Sequence, residues 1–151
     1  MLTNHLSDEV VCDIISDPAA MGTTDVTSAI LDMSGYDAVR FLAPITDIAN
    51  TSVVTLKLQQ GADSGLSDVV TSEETATKTS AADDDLNGKM LVLDVVKPGP
   101  GVRYVRAKMT RATANAAIGN IIAERYRSRI VPVTQSSDVS NLKKSVSPTA
   151  S

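Results

Sequence analysis

The sequence predicts an all-β fold: an antiparallel, jelly-roll-like β-sandwich with extended N- and C-terminal arms. Three observations point there. The apolar residues are almost all Val, Ile, Leu and Ala, with one Phe, three Tyr and no Trp, and branched aliphatics fit a pleated surface. They fall in short runs, several of them alternating with polar residues at period two. Turn residues break those runs every ~10–14 positions, near the spacing of a sandwich or barrel. At 151 residues the chain is sized for one domain with a core of its own. That domain is expected over 9–133, between an N-terminal arm at 1–8 and a flexible C-terminal arm at 134–151.

The elements follow in chain order. Glu9–Ile15 is an apolar run around Cys12, and Val26–Asp32 is the next candidate strand. In Ala38–Ala43, residues Val39, Phe41 and Ala43 share a face with Arg40 opposite. In Val53–Gln59, residues Val54, Leu56 and Leu58 share a face with Thr55, Lys57 and Gln59 opposite. Asp68–Thr71 is a short strand. Residues 72–88 hold almost nothing to bury and read as a long, exposed acidic loop. Asn87-Gly88 has the chemistry of a type I′ hairpin turn ahead of the strand Met90–Val96. Arg103–Met109 alternates Arg103, Val105, Ala107 and Met109 against Tyr104, Arg106 and Lys108. The alanines of Arg111–Tyr126 raise helix propensity. Thr110, Thr113, Asn115, Gly119 and Asn120 favour instead a turn near Thr113–Asn115 and a strand, Ala117–Tyr126. Arg129–Val133 is the last candidate strand. One apolar and one polar face per strand marks antiparallel sheets with a solvated side. The Ser-, Thr- and Lys-rich stretch 134–151 has only isolated Val139, Leu142 and Val146, cannot fold by itself, and is expected to stay disordered or to order against a neighbour.

The net charge of −4 conceals a strong polarity. Residues 1–88 carry 15 of the 18 acidic side chains and three basic ones, a net of −12. Residues 89–151 carry 11 basic and three acidic, a net of +8. Such a pattern suits docking of the halves on each other, docking of one copy on the next, or basic strands interleaved with an acidic surface. All three point toward assembly.

Candidate chemistry is sparse. Cys12 is the single cysteine, which excludes an internal disulfide and a multi-cysteine metal site; in its apolar run it reads as a small buried hydrophobe. His5 is the single histidine, with no second ligand or base placed near it in sequence. There is no Gly-x-Ser-x-Gly, and Gly99-Pro100-Gly101 cannot cradle phosphate because Pro lacks the amide donor. Asp83-Asp84-Asp85-Leu86-Asn87-Gly88 places oxygens at the early positions of a calcium loop, with Asp94 at the twelfth. No helix precedes it, so a solvated acidic loop is the preferred reading. Arg103, Arg106, Lys108, Arg111, Arg125, Arg127 and Arg129 form a basic stretch, but only Tyr104 and Tyr126 could stack on bases, which argues against nucleic acid. Three Tyr without Trp likewise argue against a sugar-binding module. No run approaches the ~18 apolar residues of a membrane helix, and the first residues do not read as a signal peptide. The chain is expected to be a non-enzyme without cofactor or metal, made in a reducing, soluble compartment.

Several stretches carry a resemblance. They are Met33–Phe41, Leu56–Ser64, Arg103-Tyr104-Val105-Arg106, and the run from Thr113 through Ile121-Ile122-Ala123 to Tyr126 and Pro132-Val133. Over about residues 25–135 these resemble small β-sandwich virion proteins of tailed bacteriophages, including capsid decoration (cement) proteins. The resemblance implies a virion protein, made in the bacterial host cytoplasm, that sits on the capsid exterior. Its partners would be the phage major capsid protein and copies of itself, as dimer or trimer. It would staple neighbouring capsid subunits and stabilise the expanded head. Docking is expected at Arg125, Arg127 and Arg129 on the basic strand edge, at Leu142, Lys143, Lys144 and Val146 in the tail, and at the N-terminal arm. The alternative it leaves is a head–tail connector or tail-tube subunit that forms a ring, for which heterologous contacts between charged halves are suited.

Overall fold

A computed structural model describes residues 5–96 and 101–145. After a single 3₁₀ turn, Leu6–Asp8, come eleven strands: β1 (Val11–Ser16), β2 (Ala19–Gly22), β3 (Val26–Thr27), β4 (Leu31–Asp32), β5 (Tyr36–Ile48), β6 (Val53–Gly61), β7 (Val70–Thr79), β8 (Met90–Val96), β9 (Tyr104–Ala112), β10 (Ala116–Ile118) and β11 (Ile121–Ser128). They form two antiparallel sheets, and no α-helix occurs among the described residues.

Three of the chain's passes are broken strands. β1 and β2 lie end to end along β11 and β10, which lie end to end along β5. β3 and β4 lie end to end along β9. Counting each broken pair once, the passes order as 1-8-3-6 in the first sheet and 2-7-4-5 in the second. The first pass therefore pairs with the last, and the second with the seventh.

Each break has a local cause. Asp17-Pro18 interrupts β1 from β2, where proline has no N–H for the ladder. Gly119-Asn120 separates β10 from β11 opposite Pro44, a proline inside the central strand β5. Pro44 is tolerated because pairing already shifts register there. The Gly119 N–H donates to the Pro44 carbonyl at 2.9 Å. A Cβ on Gly119 would stand 3.0 Å from Pro44 Cγ, so a larger residue would press on the proline ring. Between β3 and β4, Ser28 substitutes for the ladder: its N–H donates to Ala107 O, and its hydroxyl accepts from Ala107 N, both at 2.9 Å.

The core lies between the sheets and is aliphatic. β5 contributes Val39, Phe41, Ala43 and Ile45; β6 contributes Val54, Leu56 and Leu58; β9 contributes Val105, Ala107 and Met109. Phe41 is fully buried, and each large side chain so placed contributes about 1.5–3 kcal/mol.

Four sequence expectations need correction. Residues 72–88 are not a loop throughout: 70–79 form β7, paired along β6. An edge strand needs little to bury, and Ala76 alone of the inward positions packs against the core, while threonine's β-branch favours the extended backbone. Asn87-Gly88 is not a hairpin turn, because β7 and β8 belong to different sheets; it closes a loop between sheets in which Gly88 has φ +76° and Asp84 φ +63°. Arg129–Val133 forms no strand, since the ladder with β5 ends at Ser128 opposite Tyr36, where β5 begins. β2 was unexpected, because its Ala-Ala-Met-Gly run has neither β-branched residues nor clear alternation. At Thr113 the expected turn is present, with φ +70°, and strands flank it.

Candidate interaction surfaces

The basic residues expected at an interface separate into two groups. Arg125 points into the end of the sandwich rather than to solvent. Its guanidinium donates to Asp13 Oδ2 at 3.0 Å and to the Asp32 carbonyl at 2.9 Å, and lies 4.9 Å from the centre of the Tyr36 ring. Because Asp13 belongs to one sheet and Asp32 to the other, Arg125 clamps the two together. Arg127 and Arg129 are exposed, and Arg129 pairs loosely with Asp37 at 3.4 Å. Lys144 pairs with Asp8, and Lys143 and Leu142 line a shallow groove of about 400 Å³ with Leu6, Val10 and Cys12. Val146 lies outside the described residues.

The C-terminal segment has a specific seat. β1 is an edge strand, and its outward amides are met by side chains of the tail. Cys12 N donates to Gln135 Oε1 at 3.1 Å, and Ile14 N donates to Asp138 Oδ2 at 2.8 Å. In return the Gln135 amide donates to Ser7 O and Val10 O, and the Ser136 hydroxyl to Cys12 O. Residues 133–145 thus order against their own chain.

Part of the charge polarity is matched within the chain. Among the described residues, five of six ion pairs join a base from 89–151 to an acid from 1–88, including Arg103–Asp32 at 2.9 Å, Lys108–Asp25 at 3.2 Å and Arg125–Asp13. The sixth, Arg40–Glu124 at 2.7 Å, crosses the same divide in the opposite sense. The pairing of early with late passes makes this unavoidable. Arg111 differs: buried without a carboxylate partner, it donates to the carbonyls of Ala20, Thr24 and Ala116 at 2.6–2.8 Å.

The acidic loop spends its oxygens individually. Asp83 accepts from Asn50 N at 2.7 Å, Asp84 from the Asn87 amide at 3.1 Å, and Asp85 from Ser80 Oγ and Ala81 N. Asp94, on β8, accepts from the Tyr126 hydroxyl. Among the described residues no group of three or more His, Cys, Asp or Glu converges in a way that could hold a metal ion. Burial and the Asp94 carboxylate push the Tyr126 phenol up to about 12. Burial, then Glu124 and Asp13, push the Cys12 thiol above its ordinary value, which opposes nucleophilic use.

The outer faces of the two sheets are unlike. On the β6–β9 sheet, Thr55, Thr77 and Thr110 form one transverse row, and Lys57, Thr75 and Lys108 the next. On the other sheet the register aligns Val92, Leu42, Ile122 and Ile14 across all four passes. Val92 and Ile14 are 44% and 49% exposed. Sequence reasoning passed over this row, although Met90–Val96 announces it by carrying apolar residues on both faces, a pattern of strands covered on both sides.

No protein-family model and no curated protein matches this chain.

Proposed function

We propose that the chain is a structural virion protein that binds the outside of a phage capsid and staples neighbouring major capsid protein subunits. The observation that carries this reading is the two-faced block: one outer face presents a continuous apolar row, Val92, Leu42, Ile122 and Ile14, and the other is threonine-rich and basic. The pass order supports it, since we read 1-8-3-6 over 2-7-4-5 as a jelly roll, an architecture used by viral shells among other proteins. Fold alone does not decide function. The resemblance over residues 25–135 adds the phage context.

In this reading the exposed cations Arg127, Arg129 and Lys143 face an acidic capsid exterior, and both terminal arms extend the contact. Each contact is modest. Repetition over a lattice turns modest contacts into tight retention. Immunogold electron microscopy of virions, with antibody against the purified chain, tests the assignment. Gold over the whole head is expected. Gold confined to the neck or tail would replace the stapling reading with that of a ring-forming connector or tube subunit, and bare particles would overturn both.

A further inference from the structure

We infer that the C-terminal arm, residues 133–145, is exchanged between two copies of this chain, each arm seated on the β1 edge of the other. The inference rests on the arm's seat and on its connector, and is independent of the capsid reading.

The seat is confined to one short segment. Among the described residues, every hydrogen bond and ion pair joining 133–145 to the rest of the chain ends on residues 7–14. Gln135 takes the Val10 carbonyl and the Cys12 amide, Ser136 the Cys12 carbonyl, and Asp138 the Ile14 amide. These are consecutive outward groups of β1, the ones that an added strand would engage. Such a seat recognises the arm's sequence and not the copy that the arm belongs to. The same bonds therefore form in a closed monomer and in an exchanged dimer, and the connector decides between them.

Three features of the connector favour exchange. It is short: Arg129 is fixed to its own body, its N–H donating to Gly35 O at 3.0 Å, and Val133 is fixed to the seat, donating to Asp8 O at 2.8 Å. Only Ile130, Val131 and Pro132 lie between, and short hinges are where swapping arises. It is stiff, because the ring of Pro132 fixes φ. It is also apolar. Ile130 is 78% exposed and Val131 49%, where a surface connection ordinarily carries turn residues. Leu6, 69% exposed, lines the same shallow groove as Val131.

Exchange supplies what the closed chain lacks. The four Cα steps from Arg129 to Val133 reach about 14 Å at most. An arm crossing on so short a tether brings the two bodies into contact beside it. The two connectors then run past each other in opposite senses about a two-fold axis, and Ile130, Val131 and Leu6 of both copies leave water together. The arrangement is isologous and closes at two copies.

Sedimentation equilibrium of the full chain over about 5–500 μM should show a monomer–dimer equilibrium. A Gly/Ser insertion of about six residues after Val131 lets the arm fold back freely and should raise the dissociation constant at least about tenfold. Deleting Val131 and Pro132 shortens the tether to its own seat and should lower the constant by a similar factor. Ile130→Ser with Val131→Ser should weaken the dimer, while Thr77→Lys, on the far sheet, should leave it unchanged. Far-UV circular dichroism and melting temperature confirm that each variant is folded. Where the deletion does not fold, the insertion and the serine pair decide. A monomer throughout the range, a trimer or larger ring, or a dimer indifferent to the connector would each overturn the assignment.

Discussion

A buried ion pair is strained less by its presence than by the loss of one partner, and Arg125 with Asp13 is the case in point. Their side chains are 16% and 11% exposed. Removing Asp13 leaves a guanidinium committed to the sandwich interior with one carbonyl and the Tyr36 ring for company. Asp13→Ala and Arg125→Met should each cost about 3–5 kcal/mol, because each leaves the other charge buried and unpaired, while the double variant should cost clearly less than the sum. Urea denaturation of the two single variants and the double variant decides it, and additive losses would refute the clamp. The same neighbourhood sets two titrations. Tyr126, raised to about 12 by burial and by Asp94, should ionise in a late step of an alkaline absorbance titration. Tyr126→Phe should delete that step alone. A raised phenol stabilises the fold below the ordinary tyrosine value of 10.0 and loses that contribution as pH climbs through about 12.

Strand edges govern the next scale. An edge strand exposes alternate amides as a template for foreign strands, and β1 covers its own with Gln135 and Asp138. Replacing both by alanine should lower stability by about 2–4 kcal/mol, from four lost hydrogen bonds. Hydrogen exchange gives the sharper reading: the Cys12 and Ile14 amides should lose protection while Val11 and Asp13, whose amides face β11, keep theirs. Uniform loss along β1 would mean that the tail acts by coverage alone. The element scale also shows what was legible. β5, β6, β8 and β9 could be read directly because each buries one face, and alternation is a record of burial. β7 could not, since an edge strand of threonines records propensity without burial. The tail could not either, because its order comes from Gln135, Ser136 and Asp138 copying backbone partners, an interaction with no periodicity. Of the expected interface, Arg127, Arg129 and Lys143 are available at the surface. Arg125 was misplaced because alternation from Ala123 puts it inward, and only the register with Asp13 reveals a partner there.

At the scale of the molecule, the charge polarity and the topology explain each other. A chain whose first pass pairs with its last, and second with its seventh, brings residues 1–88 against 89–151 in every strand pair but β6–β7. Opposite charge on the two stretches then becomes attraction across the ladders instead of a dipole. Most of these pairs are exposed and individually weak, so high salt at neutral pH should change stability little. Acid acts differently, because it removes one member of every pair. Asp32 is held below the ordinary value of 3.8 by the Arg103 guanidinium, Asp8 by Lys144, Asp63 by Ser67 and Gly65, Asp68 by the Ala62 and Asp63 amides, and Asp85 by Ser80 and Ala81. A carboxylate depressed in the folded state contributes stability that is complete above its unfolded value and disappears as pH falls through the folded one. Five such groups act in the same window, below 3.8. Full protonation also leaves 14 Lys and Arg and one His without a compensating charge, and self-repulsion adds to the loss. The melting temperature should therefore hold nearly level from pH 8 to 5 and drop steeply below about 4. A flat profile down to pH 2.5 would mean that the interleaved charges fix register during folding while contributing nothing to the stability of the folded chain.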